Sequence, residues 1–167
     1  MGVKGEVRSG GDRKIAVISD THDLLRASLL DEIAGADEIW HIGDICTPEV
    51  VTTLEGIAPL KIVRGNNDKG DWAAAIPESL LFEEAGQWVF LLHNRKELDQ
   101  HIESEAADLV VCGHSHRLLD ETIDGVRYLN PGSCGPRRFS LPISMCWLTS
   151  SADSAGFDIE FIELRAE

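Results

Sequence analysis

KIAVISDTHD, residues 14–23, runs four apolar residues together and then stops at a carboxylate and an imidazole one residue apart, Asp20 and His22. A half-buried strand alternates polar and apolar side chains, so an unbroken short run such as KIAVIS predicts a strand buried on both faces. The same event recurs along the chain. EIWHI (38–42) gives way to Gly43 and Asp44, LKIVR (60–64) to Gly65 and Asn66, WVFLL (88–92) to His93, and LVVC (109–112) to Gly113, His114, Ser115 and His116. Between the first three runs lie helix-like segments, DLLRASLLDEIAG (23–35) and TPEVVTTLEG (47–56), the second with Thr47 as its cap and Pro48 at the first helical position. Strand, helix and strand in succession require a parallel crossover, so the first two thirds of the chain predict an α/β fold. The carboxyl ends of parallel strands collect at one sheet edge, where ligands bind. Five separate strand endings would therefore bring their polar residues together.

The remainder reads differently. SLLFEEAGQWVFLLH predicts a hairpin about Ala85 and Gly86, residues 95–105 a polar helix, and ETIDGVRYLN a hairpin on an Asp-Gly turn. PISMCWLTS and GFDIEFIEL follow as two strands, which predicts a mixed sheet or two packed sheets. The polar, Gly-rich residues 1–13 are expected to be a flexible leader and 14–167 one domain. No apolar run is long enough to span a bilayer, so no membrane association is expected. The formal net charge of −14 disfavours nucleic acid as a partner, though bound divalent cations would reverse the field locally for a phosphorylated substrate. Cys46, Cys112, Cys134 and Cys146 are scattered singly, which points to a reducing cytoplasm rather than a disulfide framework. Association of identical chains stays open.

Each strand ending has an ordinary explanation alone. Asp20 or Asp23 could cap a helix, GNND (65–68) could be a turn, and His93 could be structural. Turns do not explain why every ending supplies a metal-ligand type: Asp20, His22, Asp44, Asn66, His93, His114 and His116. Two carboxylates, one carboxamide and four imidazoles exceed one tetrahedral zinc and suit two neighbouring ions. Imidazole nitrogen favours divalent transition metals over calcium or magnesium. Manganese is taken first, with iron, zinc, nickel and cobalt as alternatives. His41 and His101 are read as structural, and Trp72 as the tryptophan most exposed near the site.

In order, D-x-H, G-D, G-N-x-D, H and G-H-x-H resemble the calcineurin-like metallophosphoesterase superfamily, and NPGSCGPRR (130–138) resembles its small bacterial and archaeal phosphodiesterase branch. The resemblance implies a four-layer α/β sandwich of two mixed β-sheets flanked by helices. It implies that Asp20, His22 and His116 hold a first ion, that Asn66, His93 and His114 hold a second, and that Asp44 bridges them. Hydroxide held between the ions would attack phosphorus in line. Asp68 is expected to orient a ligating side chain, and Asn67 stands where many relatives place a histidine that protonates the leaving group. Loss of that proton donor predicts slow turnover. Arg137 and Arg138 are the basic pair nearest the site. The leading expectation is a metal-dependent phosphodiesterase. The alternatives are a small-molecule phosphomonoesterase and an interaction scaffold like the retromer subunit that shares the fold.

Overall fold

The structure, a computed structural model, describes residues 12–166. The leader expected over 1–13 lies outside them except for its last two residues, and Arg13 already opens the first strand.

Strands β1 (Arg13–Ile18), β2 (Glu38–His41) and β3 (Leu60–Ile62) are parallel, joined by helices α1 (Ala27–Ile33) and α2 (Pro48–Glu55). A single turn, α3 (Asp71–Ala74), leads to the hairpin of β4 (Ser79–Glu84) and β5 (Gln87–Leu92), which is followed by the parallel strand β6 (Leu109–Val111). A second hairpin, β7 (Leu118–Ile123) and β8 (Val126–Pro131), sets β8 parallel to β6. The antiparallel pair β9 (Ser144–Ser151) and β10 (Ser154–Glu163) returns to the first sheet. Two mixed sheets of five strands result, ordered β10-β9-β1-β2-β3 and β4-β5-β6-β8-β7.

The alternation of side chains within β1 shows how the layers stack. Ile15 and Val17 point into the core between the sheets with Trp40, Val89, Leu91, Val111 and Leu148, while Ala16 and Ile18 point to the helix-side core with Leu29, Ile33 and Leu54. The second sheet has its own outer layer, where Phe90, Leu92 and Val110 meet Leu98. Both faces of the central strands are buried, which is why their sequences are continuous apolar runs. Among the described residues no helix is long and apolar enough to cross a membrane.

Local departures from the sequence reading have physical causes. The helix expected from residue 23 begins only at Ala27 because Asp20, His22 and Asp23 have φ of 60, 45 and 69°. Their loop is spent on cross-strand bonds: His22 N–H donates to Asp44 O (2.9 Å) and Asp23 N–H to Ile45 O (3.0 Å). Thr47 sits at the N-cap of α2 but does not cap it, since its hydroxyl donates to Asp23 Oδ1 at 2.8 Å. The polar helix expected near 95–105 is instead two 3₁₀ segments, Arg95–Gln100 and Ile102–Ala106. Leu98 reaches the core while Ile102 stays exposed, so no apolar face holds a longer α-helix there. The two hairpin turns agree with expectation: Ala85–Gly86 and Asp124–Gly125 all have positive φ, as two-residue turns between twisted strands require.

At the amino end of the sheet, the buried carboxylate of Glu38 accepts from Arg13 on β1 (2.6 Å), Lys61 on β3 (2.6 Å) and the Trp40 indole (3.2 Å). Glu38→Ala takes the acceptor from the fully buried Trp40 indole and from Lys61, while Arg13 keeps Glu84 at 2.9 Å. The expected loss is about 2 kcal/mol of unfolding free energy, read from urea denaturation.

Candidate metal centre

The opposite end of the strands gathers the polar residues. Asp20 and His22 follow β1, Asp44 follows β2, Asn66 follows β3, His93 follows β5, and His114 and His116 follow β6. Asp20 Oδ1 lies 3.8 Å from both His22 Nε2 and His93 Nε2 and 3.4 Å from His116 Nε2. Asp44 Oδ2 lies 3.6 Å from His22 Nε2 and 3.4 Å from His93 Nε2. Two overlapping groups can thus each hold a cation, Asp20 with His22 and His116, and Asp20 with Asp44 and His93. His114 Nδ1 adds to the second side, 3.3 Å from His93 Nε2 and 3.1 Å from Asn66 Oδ1. All seven expected side chains meet at this edge. The two carboxylates lie between the imidazoles, with Asp20 as central as Asp44.

Local backbone geometry explains how they are aimed. Asp20, His22, Asp44, His114 and His116 all have φ between 45 and 70°. Non-glycine residues rarely adopt this region, and such strain clusters at functional sites. The loops also approach too closely for side chains, as Gly65 and Gly113 show. A Cβ on Gly65 would collide with the amide and carboxylate of Asp44, and one on Gly113 with the Ser19 hydroxyl.

The electrostatics fit a cation. Buried Asp20 Oδ1, His22 Nε2 and His116 Nδ1 have no hydrogen-bond partner. Unpaired polar atoms are costly in a protein interior, and a bound metal ion satisfies Asp20 Oδ1 and His22 Nε2, which face each other at 3.8 Å. Burial acts to raise the Asp20 carboxyl, yet His116, His93 and the Ser19 hydroxyl hold it below its ordinary range. Asp44 is likewise raised by burial but held far lower by His93 and by Asn67, so both carboxylates are ionised. His93 Nδ1 donates to Ile42 O at 2.8 Å, which turns Nε2 toward the centre; burial acts to lower this ring, but the Asp44 and Asp20 carboxylates hold it above its ordinary range, so a metal bound there displaces a proton from Nε2. Burial lowers His22 and the Arg138 charge assists, both favouring the neutral imidazole a metal needs.

The supporting residues act largely through the main chain. Asp68 holds the loop of one ligand, Asp44, and among the described residues it bonds to no histidine. Its buried carboxylate accepts main-chain N–H groups from Gly65 (2.7 Å), Asp44 (3.0 Å), Ile45 (2.8 Å) and Cys46 (2.8 Å). Asn67 donates its backbone N–H to Asp44 Oδ1 and its amide to Asp44 Oδ2, both at 2.9 Å, so its side chain holds a ligand rather than facing substrate. Trp72 is half-buried against the helix-side core, and the exposed tryptophan is Trp88. Arg137 is tied to Leu141 O. His41 is fully buried, accepting from Gly43 N–H (3.1 Å) and therefore donating through Nε2 to Thr21 (3.0 Å).

Three contributors escaped the sequence reading. Arg26 grips Cys134 O and Gly135 O, Ser133 donates to Asp20 O, and Asn130 ties Gly113 O and Ser115 Oγ. They brace the centre through main-chain atoms, a role no spacing rule reveals.

Against known proteins, residues 14–153 match the calcineurin-like phosphoesterase superfamily domain. The chain belongs to that superfamily. A protein of Methanothermobacter thermautotrophicus named "Probable metallophosphoesterase" is 34% identical over 164 residues, covering 91% of this chain and 93% of its own. A phosphodiesterase of Methanocaldococcus jannaschii is 29% identical over 139 residues, covering 72% of this chain and 84% of its own. In architecture, vacuolar protein sorting 29 of Cryptosporidium parvum superposes with a TM-score of 0.76 at 20% identity, over 93% of each chain. Metallophosphoesterase membership implies divalent metal ions, and the groups described above are where this chain can hold them.

Two outcomes follow for this metallophosphoesterase. Asp68→Asn keeps one oxygen and sets an NH₂ against two of the four amides, so Mn²⁺ affinity, titrated calorimetrically, should fall about 10- to 100-fold with the fold retained. Burial depresses His41 to about 4. Above pH 6.5 the ring is neutral folded or unfolded, and below it only the unfolded chain takes the proton, so stability is lost as pH falls from about 6.5 to 4. The full loss is on the order of 3 kcal/mol. In metal-free protein, His41→Gln should flatten that limb of the stability–pH curve by close to one proton.

Proposed function

We propose that this chain is a binuclear metal-dependent phosphodiesterase. Asp20, His22 and His116 hold one ion, Asn66, His93 and His114 hold the other, and Asp44 is shared. The observation that carries the reading is the single oxygen Asp44 Oδ2, within 3.6 Å of a histidine on one side and 3.4 Å of a histidine on the other. Asp20 Oδ1 stands close to both sides as well, 3.8 Å from His22 Nε2 and from His93 Nε2. When bound, such a pair of ions supplies an activated water and neutralises charge on phosphate oxygens during in-line displacement.

The chain's own residues do the rest. Asn67 fixes both oxygens of Asp44, Asp68 fixes the loop that carries it, and Ile42 O fixes the His93 ring. Because Asn67 is neither acidic nor free, leaving groups must depart with little protonation, and turnover is slow with alkyl esters. Manganese is the first choice among divalent transition metals, with iron, zinc, nickel and cobalt next. The name of the M. jannaschii relative supports a diester over a monoester. Four unpaired cysteines suit a reducing cytoplasm. A purely structural scaffold gains nothing from leaving Asp20 Oδ1 and His22 Nε2 buried, unpaired and 3.8 Å apart, which is why the enzyme reading is preferred.

The test loads purified protein with Mn²⁺ and measures metal content and hydrolysis of bis-p-nitrophenyl phosphate and p-nitrophenyl phosphate. Two ions per chain and faster diester cleavage are expected, with turnover abolished in Asp44→Asn. Less than one ion per chain and no cleavage of either ester would sink the reading.

A further inference from the structure

Two cavities flank the centre, and their electrostatics differ. The smaller, about 290 Å³, lies against His93 and Asn66 and is lined by Glu78, Glu97 and Asp68; its one arginine, Arg64, is already paired with Glu78 at 2.9 Å. The larger, about 610 Å³, opens beside His114, between the 3₁₀ segment that starts at Arg95 and strand β7. Leu118 and Leu119 give it apolar wall, and Arg95, Lys96 and Arg117 bring three cations to it. Arg95 is occupied, bonded to Glu121 at 3.1 Å and stacked on Tyr128 at 4.2 Å. Lys96 and Arg117 are exposed, and among the described residues neither side chain has an ion pair or hydrogen bond.

A chain of net charge −14 repels anions over most of its surface, so two uncommitted cations at the rim of one apolar cavity mark where extra negative charge can rest. The volume is that of a small organic ligand rather than of a bare phosphate. The geometry points to the cavity beside His114 as the recognition pocket for the esterified group of the substrate. It takes a phosphodiester whose retained ester carries a ring-sized apolar body, packed on Leu118 and Leu119, and a second anionic group, held by Lys96 and Arg117. This rests on the phosphoesterase reading for the phosphate itself. The cavity on the His93 side, rimmed by carboxylates, repels the same group.

The test is direct binding, kept separate from catalysis. Mn²⁺-loaded protein is titrated calorimetrically with 4-carboxyphenyl phosphate and with phenyl phosphate, which differ by one carboxylate placed across the ring from the phosphate. Two exposed cations together support about a tenfold preference for the carboxylate ligand at low salt, shrinking in 0.5 M NaCl. In Lys96→Ala/Arg117→Ala the preference should drop to within about twofold, since both ligands lose the general attraction for phosphate and only 4-carboxyphenyl phosphate loses the partners of its carboxylate. Equal affinity in the wild type, or a preference that survives the double variant, overturns the pocket. Hydrolysis of bis-p-nitrophenyl phosphate is read in parallel. Cleavage without the carboxylate preference refutes the pocket and leaves the enzyme reading standing. The preference without cleavage refutes the enzyme reading and leaves the pocket standing.

Discussion

One buried carboxylate organises the metal edge. Asp68 accepts four main-chain N–H groups, one from the loop after β3 and three from the loop after β2, so two strand endings are locked to each other without using any ligand side chain. The lock is passed on. Gly43, Asp44 and Ile45 offer their carbonyls to the amides of Asp20, His22 and Asp23, fixing the loop after β1. That loop in turn meets the second sheet, where His114 N–H donates to Asp20 Oδ2 and Cys134 N–H to Ser19 O. A relay of main-chain bonds therefore crosses the whole edge. The position of each imidazole and carboxylate is inherited from its loop, which limits how far any one side chain can drift.

The relay concentrates charge that the fold must then balance. Asp20 and Asp44 stay ionised in a buried setting because imidazoles, the Ser19 hydroxyl and the Asn67 amide surround them. Ionised carboxylate is also the form that binds metal, so the environment that makes the fold tolerable makes these two ligands competent. The same acidity repels anionic molecules from most of the surface and leaves the few uncommitted cations to decide where a phosphorylated ligand settles.

How much of this was legible depended on which atoms carry each feature. The parallel strands were readable because burial on both faces writes itself as an apolar run, as in Ile15–Ile18. The gathering of Asp20, Asp44, Asn66, His93 and the two GHSH histidines was readable because topology alone places strand ends together. The four main-chain bonds of Asp68 and the two bonds from Asn67 to Asp44 were not readable, because which backbone groups a side chain meets leaves no trace in residue identity. The packing of Trp72 was unreadable for a related reason: its neighbours on the helix-side core are distant in sequence. The helix expected at 95–105 failed because polar composition cannot distinguish a solvated α-helix from 3₁₀ turns when only Leu98 anchors the segment.

The left-handed backbone at Asp20, His22, Asp44, His114 and His116 has a consequence for how such a chain can change over generations. That conformation is tolerated by glycine, asparagine, aspartate and histidine, and it punishes valine, isoleucine and threonine. Replacement at these five positions is therefore filtered twice, first by chemistry and then by conformation. A lineage released from catalysis would lose its ligands first to asparagine or glycine, keeping the loops intact. The shape of the edge can outlive its metals.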